Sequence, residues 1–221
     1  MSLSTKNVIG SLLIIGPLLA FIFGGVLDSI LIEDVDGMIA QIEENVAHKE
    51  AKFWLTLIAS IGFAGVFIGA TLLASSIKGD DKSDNVLARI AVVLFASLTA
   101  IAIVANMAEI AAIGMASSDN ANVAQGEKLA NAQTAMIVGN TLWAGLFFFW
   151  GVSFLIFGGA LVKAKKFQIS GYPIVPWLFV IFGVIFVVLF VIPYNIGPAI
   201  WVVFGLMSLN TVVAGVLQLR E

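Results

Sequence analysis

The sequence predicts an all-α polytopic membrane protein: a six-transmembrane-helix bundle with an extracytoplasmic amphipathic helix between spans one and two. Of its 221 residues, 60% are hydrophobic and 11% are charged, whereas about half and about a quarter are usual in soluble domains. Six apolar runs between charged clusters reach the roughly 20 residues that cross a bilayer. The connections are too short for a soluble domain, so residues 1–221 are predicted to form a single transmembrane domain.

Each predicted span is long enough for one crossing. The spans cover residues 8–32, 53–77, 88–116, 133–162, 174–192 and 199–217. The first is longer than the roughly 7–15-residue apolar core of a signal peptide and is predicted to be retained. Polar residues 117–132 should extend the fourth helix outward from a cap at Asp119 or Asn120. Two prolines and a glycine in 193–198 favour a tight hairpin between spans five and six.

Lysine and arginine are unequally distributed between the two sides of this arrangement. One side holds Lys6, Lys78, Lys82, Arg89, Lys163, Lys165, Lys166 and Arg220, and the other holds Lys49, Lys52 and Lys128. Cytoplasmic loops are enriched in basic residues, so both termini are predicted to face the cytoplasm. The acids show the opposite bias, with four on the inner side and eight on the outer side.

The segment 35–50, between spans one and two, has an apolar stripe of helical spacing. The stripe consists of Val35, Met38, Ile39, Ile42 and Val46. Acids occupy the opposite face, whereas helices that lie on lipid usually carry Lys or Arg there. The segment is therefore expected to dock on protein. Covering the outer end of its own bundle is the favoured interpretation, and docking of a partner is the alternative.

Small residues indicate where helices can approach closely. Gly65 and Gly69 form a GxxxG pattern in span two, with Gly62 one turn earlier, and Gly151 and Gly158 lie one heptad apart in span four. Such residues allow backbone contact between transmembrane helices. Packing within the chain is favoured over oligomerisation.

Glu109 is the main candidate for a functional residue inside the membrane. It lies about 10 Å of helix rise from the outer end of span three, where a carboxylate is costly, and Asn106 is one turn deeper on the same face. Other polar residues of similar depth are Asp28, Asn140, Thr141, Tyr194 and Asn195. Together these residues are predicted to converge on one pocket that opens to the outside.

No Lys, Arg or His is predicted inside the membrane to pair with Glu109, since Arg89 stands at the inner end of span three. Glu109 is therefore expected to be neutral and hydrogen-bonded to Asn or Thr, or in contact with a cation or water. Functional interpretations are a proton or cation relay, a polar-ligand contact, or a metal ligand shared with another chain. The structural alternative is a neutral Glu that bonds across helices to hold the bundle together.

Several functional classes are excluded or disfavoured by composition. Cysteine is absent and His48 is the only histidine, which excludes thiolate chemistry and a histidine-rich metal site within one chain. Motifs of metalloproteases, serine hydrolases and P-loop enzymes are missing, and no basic run suggests nucleic acid. We predict no metal and no cofactor, and an enzyme is the less favoured class.

Three features of the chain have a counterpart in other sequences. They are the helical segment after span one, the run Gly139-Asn140-Thr141-Leu142-Trp143 with Gly151 in span four, and a short basic loop before Pro173 and Trp177. In these the chain resembles an uncharacterised family of prokaryotic six-span membrane proteins. It departs from that family in loop 163–166, which carries lysines rather than arginines. The resemblance implies a location in the prokaryotic cytoplasmic membrane and no particular activity.

Two functional hypotheses follow. The favoured one is a non-enzymatic subunit in the lipid bilayer that assembles as a homo-oligomer or within a larger membrane complex. The alternative is a transporter or channel for a proton, cation or small polar solute, which would use the outer pocket around Glu109. Substituting Glu109 separates the two, because only the second requires its carboxylate.

Overall fold

A computed structural model describes residues 4–77, 85–191 and 197–220, and helices account for almost all of them. The helices are α1 (Thr5–Phe21), a π-helix (Ile22–Leu27), α2 (Asp28–Leu31), α3 (Met38–Ala47), α4 (Lys49–Ser76), α5 (Val86–Ala116), α6 (Gln125–Lys163), α7 (Ile174–Val191) and α8 (Gly197–Arg220). Six helical segments are long and apolar enough to cross a membrane: α1 together with the π-helix and α2, and then α4 to α8. The predicted all-α fold with six spans is confirmed.

The six long helices form a ring. Helices α1, α4, α5, α6, α7 and α8 pack side by side in chain order, and α8 returns to pack on α1. Their directions alternate, so α2, α3 and the starts of α4, α6 and α8 lie at one end, here called the α3 end. The predicted extracytoplasmic location of this end stays a prediction.

The centre of the ring is filled by aromatic side chains. Trp150 of α6 is 1% exposed, and its ring centroid lies 5.1 Å from that of Phe67, 5.4 Å from Phe204 and 5.8 Å from Phe63. These rings, with Phe95, Phe154, Phe157, Phe179 and Phe186, make up the aromatic core. Edge-to-face contacts of this kind stabilise a packed interior, so the middle of the bundle is solid.

The five glycines singled out by the sequence lie at contacts between helices of this chain. A methyl group on Gly69 would lie 3.0 Å from Leu12 of α1, and one on Gly158 would lie 2.7 Å from the Pro176 carbonyl of α7. Gly62 and Gly65 face α1 in the same way, and Gly151 faces α7. Backbones approach closely at these points because no side chain separates them.

Gly62→Ala should lower the free energy of unfolding by about 1–3 kcal/mol, as overpacking does in protein interiors. The added methyl group would overlap the backbone nitrogen of Ala20. Gly114→Ala is the matched control, since Gly114 is also helical and has no atom within 4 Å of the new methyl, and it should be neutral or stabilising. Thermal unfolding in detergent measures both variants. Equal losses would contradict the close packing of α1 on α4.

Helix α3 covers the end of its own bundle. Ile42 is 1% exposed and packs with Ala112 and Ala116 of α5 and Ala132 of α6, and Met38 and Val46 lie against the same cluster. This is the favoured of the two predicted arrangements. The helix is shorter than the predicted 35–50.

The ends of the predicted stripe behave differently from its centre. Val35 precedes the helix, and its backbone N–H donates to Oε1 of Gln41 at 3.0 Å. Ile39 is 46% exposed. Because α4 already begins at Lys49, the end of the predicted amphipathic segment is instead the first turn of a spanning helix.

Two further boundaries differ from the prediction or lie outside the described chain. Helix α6 begins at Gln125 rather than at a cap on Asp119 or Asn120, because the Asn120 side chain accepts a hydrogen bond from the Asn122 backbone N–H at 3.0 Å. Such local bonds form turns that compete with helix. Helices α7 and α8 are separate, and 192–196 of the predicted hairpin lies outside the described residues.

Candidate functional site

Asp28 owes its position to a change in helix type. The chain switches from α-helix to π-helix over Ile22–Leu27, and Asp28 is the first residue after the switch. A π-helix has wider i→i+5 bonding and is frequent at functional sites; it therefore rotates the residues that follow relative to a regular α-helix. The next residue, Ser29, donates its hydroxyl to the Gly25 carbonyl at 2.6 Å, which supports the backbone at this point.

Lys52 of α4 points into the bundle and joins two carboxylates from other helices. Its Nζ lies 2.8 Å from Oδ1 and 2.9 Å from Oδ2 of Asp28, and 3.0 Å from Oε1 of Glu109. Only 8% of the Lys52 side chain is exposed, against 29% for Asp28 and 26% for Glu109. We call these three residues the acid–lysine cluster. The expectation that no basic side chain reaches Glu109 was wrong.

Helix α5 supplies Glu109 and Asn106 from the same face. The Thr56 hydroxyl of α4 donates to Oε2 of Glu109 at 3.4 Å. Asn106 is 3% exposed, and its Nδ2 donates to the Ala102 carbonyl at 3.0 Å. This bond uses one of the two amide N–H groups, so Asn106 still offers its amide oxygen as an acceptor and one N–H as a donor.

A cavity of about 220 Å³ lies beside the acid–lysine cluster. Its polar lining consists of Asp28, Lys52, Thr56, Asn106 and Glu109. Its aromatic lining consists of Phe23, Phe63, Trp143, Phe147 and Trp201. Phe63 also belongs to the aromatic core, so the core closes one side of the cavity. We call this space the cluster cavity.

The structure brings together three of the seven residues predicted to share a pocket. Asp28, Asn106 and Glu109 line the cluster cavity. Asn140 and Thr141 do not line it; both are exposed, because the preceding residue, Gly139, is the one that turns toward α5. The Thr141 hydroxyl donates to the Ile137 carbonyl of its own helix at 2.8 Å. Tyr194 and Asn195 lie outside the described residues.

Lys52 and the aromatic walls are the part of the site that sequence reasoning missed. Lys52 was assigned to a loop, although Leu55, Thr56, Ala59 and Phe63 follow it at the spacing of one helix face, and all of them line the cavity. That periodicity would have placed the lysine inside the bundle. The aromatic residues come from four different helical segments, and no local pattern links them.

The carboxylates of the acid–lysine cluster are suited to binding a cation, but the described residues do not form a metal site by themselves. Within the described ranges, no group of three or more His, Asp or Glu side chains could hold a metal ion. The two carboxylates of the cluster already share the Lys52 ammonium. With both carboxylates ionised, the acid–lysine cluster carries one net negative charge. All three of its residues line the cluster cavity.

The fold and the site together define a multi-pass integral membrane protein with a buried ion network at one end of its bundle. No protein-family model, curated protein or solved structure matches the chain. The resemblance to an uncharacterised six-span family therefore stays a prediction.

Proposed function

We propose that this protein transports a proton or another small cation across the membrane and that the acid–lysine cluster is its loading site. The observation that carries the proposal is the convergence of Asp28, Lys52 and Glu109, from three helical segments, on one cavity. Ionisable residues inside membrane segments are expensive and commonly mark ion or substrate pathways. A purely structural cross-link would need neither the second carboxylate nor the cavity.

The position of the cluster suggests the direction of loading. Glu109 lies seven residues from the end of α5 at Ala116, which is about 10 Å of helix rise. If the α3 end faces outward, as the distribution of Lys and Arg predicts, the cation enters from the extracytoplasmic side. The aromatic core lies on the far side of the cavity, so release to the cytoplasm requires the rings around Trp150 to move.

The α3 stripe and the glycines, which favoured an assembling subunit, contact other helices of the same chain. The apolar stripe of α3 packs on α5 and α6, and Gly62 and Gly158 contact α1 and α7. Assembly as a homo-oligomer or in a larger complex remains a prediction, and it has lost its specific support. Cation transport ranks first because the charged cluster has no comparable structural explanation.

Glu109→Gln should abolish proton or cation flux in reconstituted vesicles. The variant keeps one Lys52–Asp28 ion pair, so its charges remain balanced and it should fold, but the net negative charge is gone. A trapped pH-sensitive dye records proton movement, alone or in exchange for an imposed gradient of Na⁺, K⁺ or ammonium. Glu50→Gln is the matched control, because Glu50 is an exposed carboxylate two residues before Lys52, and it should keep wild-type flux.

Two outcomes would contradict the proposal. One is wild-type flux no greater than that of protein-free vesicles under every gradient. The other is a Glu109→Gln variant that keeps the wild-type rate. Circular dichroism and a monodisperse elution profile verify that the variant is folded before the flux is compared.

A further inference from the structure

The ammonium and hydroxyl donors at the cluster cavity are already in use. Lys52 has three N–H donors, and they meet both oxygens of Asp28 and one oxygen of Glu109. The hydroxyl of Thr56 donates to the other Glu109 oxygen, and the Asn106 amide nitrogen donates to its own helix. What these side chains still offer a ligand are mainly acceptors, since the carboxylate, amide and hydroxyl oxygens have spare lone pairs, against one remaining N–H of the Asn106 amide.

The charge of the site points in the same direction. With both carboxylates ionised, one ammonium and two carboxylates at these distances leave one uncompensated negative charge beside the cavity. A bound monocation would neutralise it, and each N–H bond from that cation to a carboxylate would be a charge-assisted hydrogen bond. An anion would meet repulsion from the carboxylates, and the Lys52 ammonium and Thr56 hydroxyl that could bind it are already engaged.

The remaining side chains that line the cavity include a set of aromatic rings. The ring centroids of Phe63 and Trp143 lie 4.9 Å apart, and those of Trp143 and Phe147 lie 5.5 Å apart, so these three rings form a continuous surface. Trp201 of α8 lines the same space and lies 3.3 Å from the position of a methyl group on Gly25. Such a wall accepts an apolar body and also attracts positive charge to its ring faces.

The cavity volume limits the size of the ligand. A cavity of roughly 150 Å³ lined by apolar residues can hold benzene, and the present one measures about 220 Å³. It therefore has room for one ring and an aminomethyl group. A hydrated alkali ion would leave the aromatic wall without a partner.

From these features we infer that the cluster cavity binds a small organic ammonium cation, with its N–H groups on Asp28 and Glu109 and its apolar body against Phe63, Trp143 and Trp201. The inference rests on the proposed cation transport, for which it names the substrate class. The N–H donors distinguish this class from quaternary ammonium ions, which carry charge but cannot donate a hydrogen bond.

Titration of the purified full-length protein in mild detergent with benzylammonium tests the inference. Binding is read from tryptophan fluorescence, since Trp143 and Trp201 line the cavity. We compare benzyltrimethylammonium, which has the same ring and charge without N–H donors, and benzyl alcohol, which lacks the charge. Benzylammonium should bind saturably and about tenfold or more tightly than either, because hydrogen bonds to charged groups are strong.

The Glu109→Gln and Asp28→Asn variants should each weaken benzylammonium binding about tenfold or more, whereas Glu50→Gln should not change it. Equal affinity for benzyl alcohol or benzyltrimethylammonium would overturn the inference, and so would unchanged binding in both cluster variants. The comparison of the three ligands uses the wild-type protein, so it holds even if a variant fails to fold.

The flux assay separates this inference from the proposed function. Vesicles that transport protons, Na⁺ or K⁺ while the protein binds no benzylammonium would overturn the ligand class and leave cation transport standing. Saturable benzylammonium binding without flux under any gradient would support the ligand class and overturn transport.

Discussion

Replacing Lys52 by methionine should lower the free energy of unfolding by about 3 kcal/mol. The substitution leaves Asp28 and Glu109 as two neighbouring carboxylates with no cation between them. Removing one partner of a buried ion pair costs about 3–5 kcal/mol, and the lower end applies because about a quarter of each carboxylate side chain is exposed. Unfolding with a denaturing detergent in mixed micelles provides the measurement.

The triple variant Lys52→Met with Asp28→Asn and Glu109→Gln should recover most of that loss, since it has no unpaired charge. Lys49→Met is the matched control: Lys49 is exposed and lies one turn earlier in α4, so its replacement should change stability by less than about 0.5 kcal/mol. If Lys52→Met were as stable as Lys49→Met, Lys52 would not be the internal counter-ion of Glu109.

Trp150→Ala should lower the free energy of unfolding by about 3 kcal/mol, mainly through the cavity that it leaves in the aromatic core. Trp150 contacts rings from α4, α6, α7 and α8, including Phe67, Phe186 and Phe204. Lipid is as apolar as these side chains, so the loss comes from packing contacts rather than from exposure to water. The same detergent unfolding measures it.

Trp150→Phe is the control for this prediction, because it keeps an aromatic ring at the centre. The indole Nε1 of Trp150 has no hydrogen-bond partner among the residues that the structure describes, so removing the N–H sacrifices no bond. We expect a much smaller loss than with alanine. A loss with alanine as small as the loss with phenylalanine would show that the core tolerates a void at its centre.

The fold was predictable from local sequence features because each spanning helix satisfies its own backbone hydrogen bonds in the bilayer. Length and apolar composition then suffice to locate it, as the six confirmed spans show. The start of α4 was harder to locate: Lys49 and Glu50 were assigned to the amphipathic segment and Lys52 to the connection after it, yet all three belong to α4. Charged residues at the end of a helix are easily assigned to a loop when the helical spacing that links them to the following apolar residues is not considered.

The candidate site was only partly predictable. The rarity of acids inside apolar spans singled out Glu109 and Asp28, and both line the cavity. Asn140 and Thr141 have a similar depth along their helix and nevertheless point away. The depth of a residue in the membrane follows from counting along its helix. The direction of its side chain depends on which face of α6 the neighbouring helices cover.

By itself, the sequence determined that this is a six-span all-α membrane protein with costly acids in two of its spans. Only the tertiary structure decided that Lys52 is the partner of those acids and that rings from separate helices line the same cavity as the acids. The physical reason is that hydrophobicity and helix length are local properties of the sequence, whereas the ion pairs of Lys52 with Asp28 and Glu109 depend on how α2, α4 and α5 pack. That packing is set by backbone contacts at residues such as Gly62.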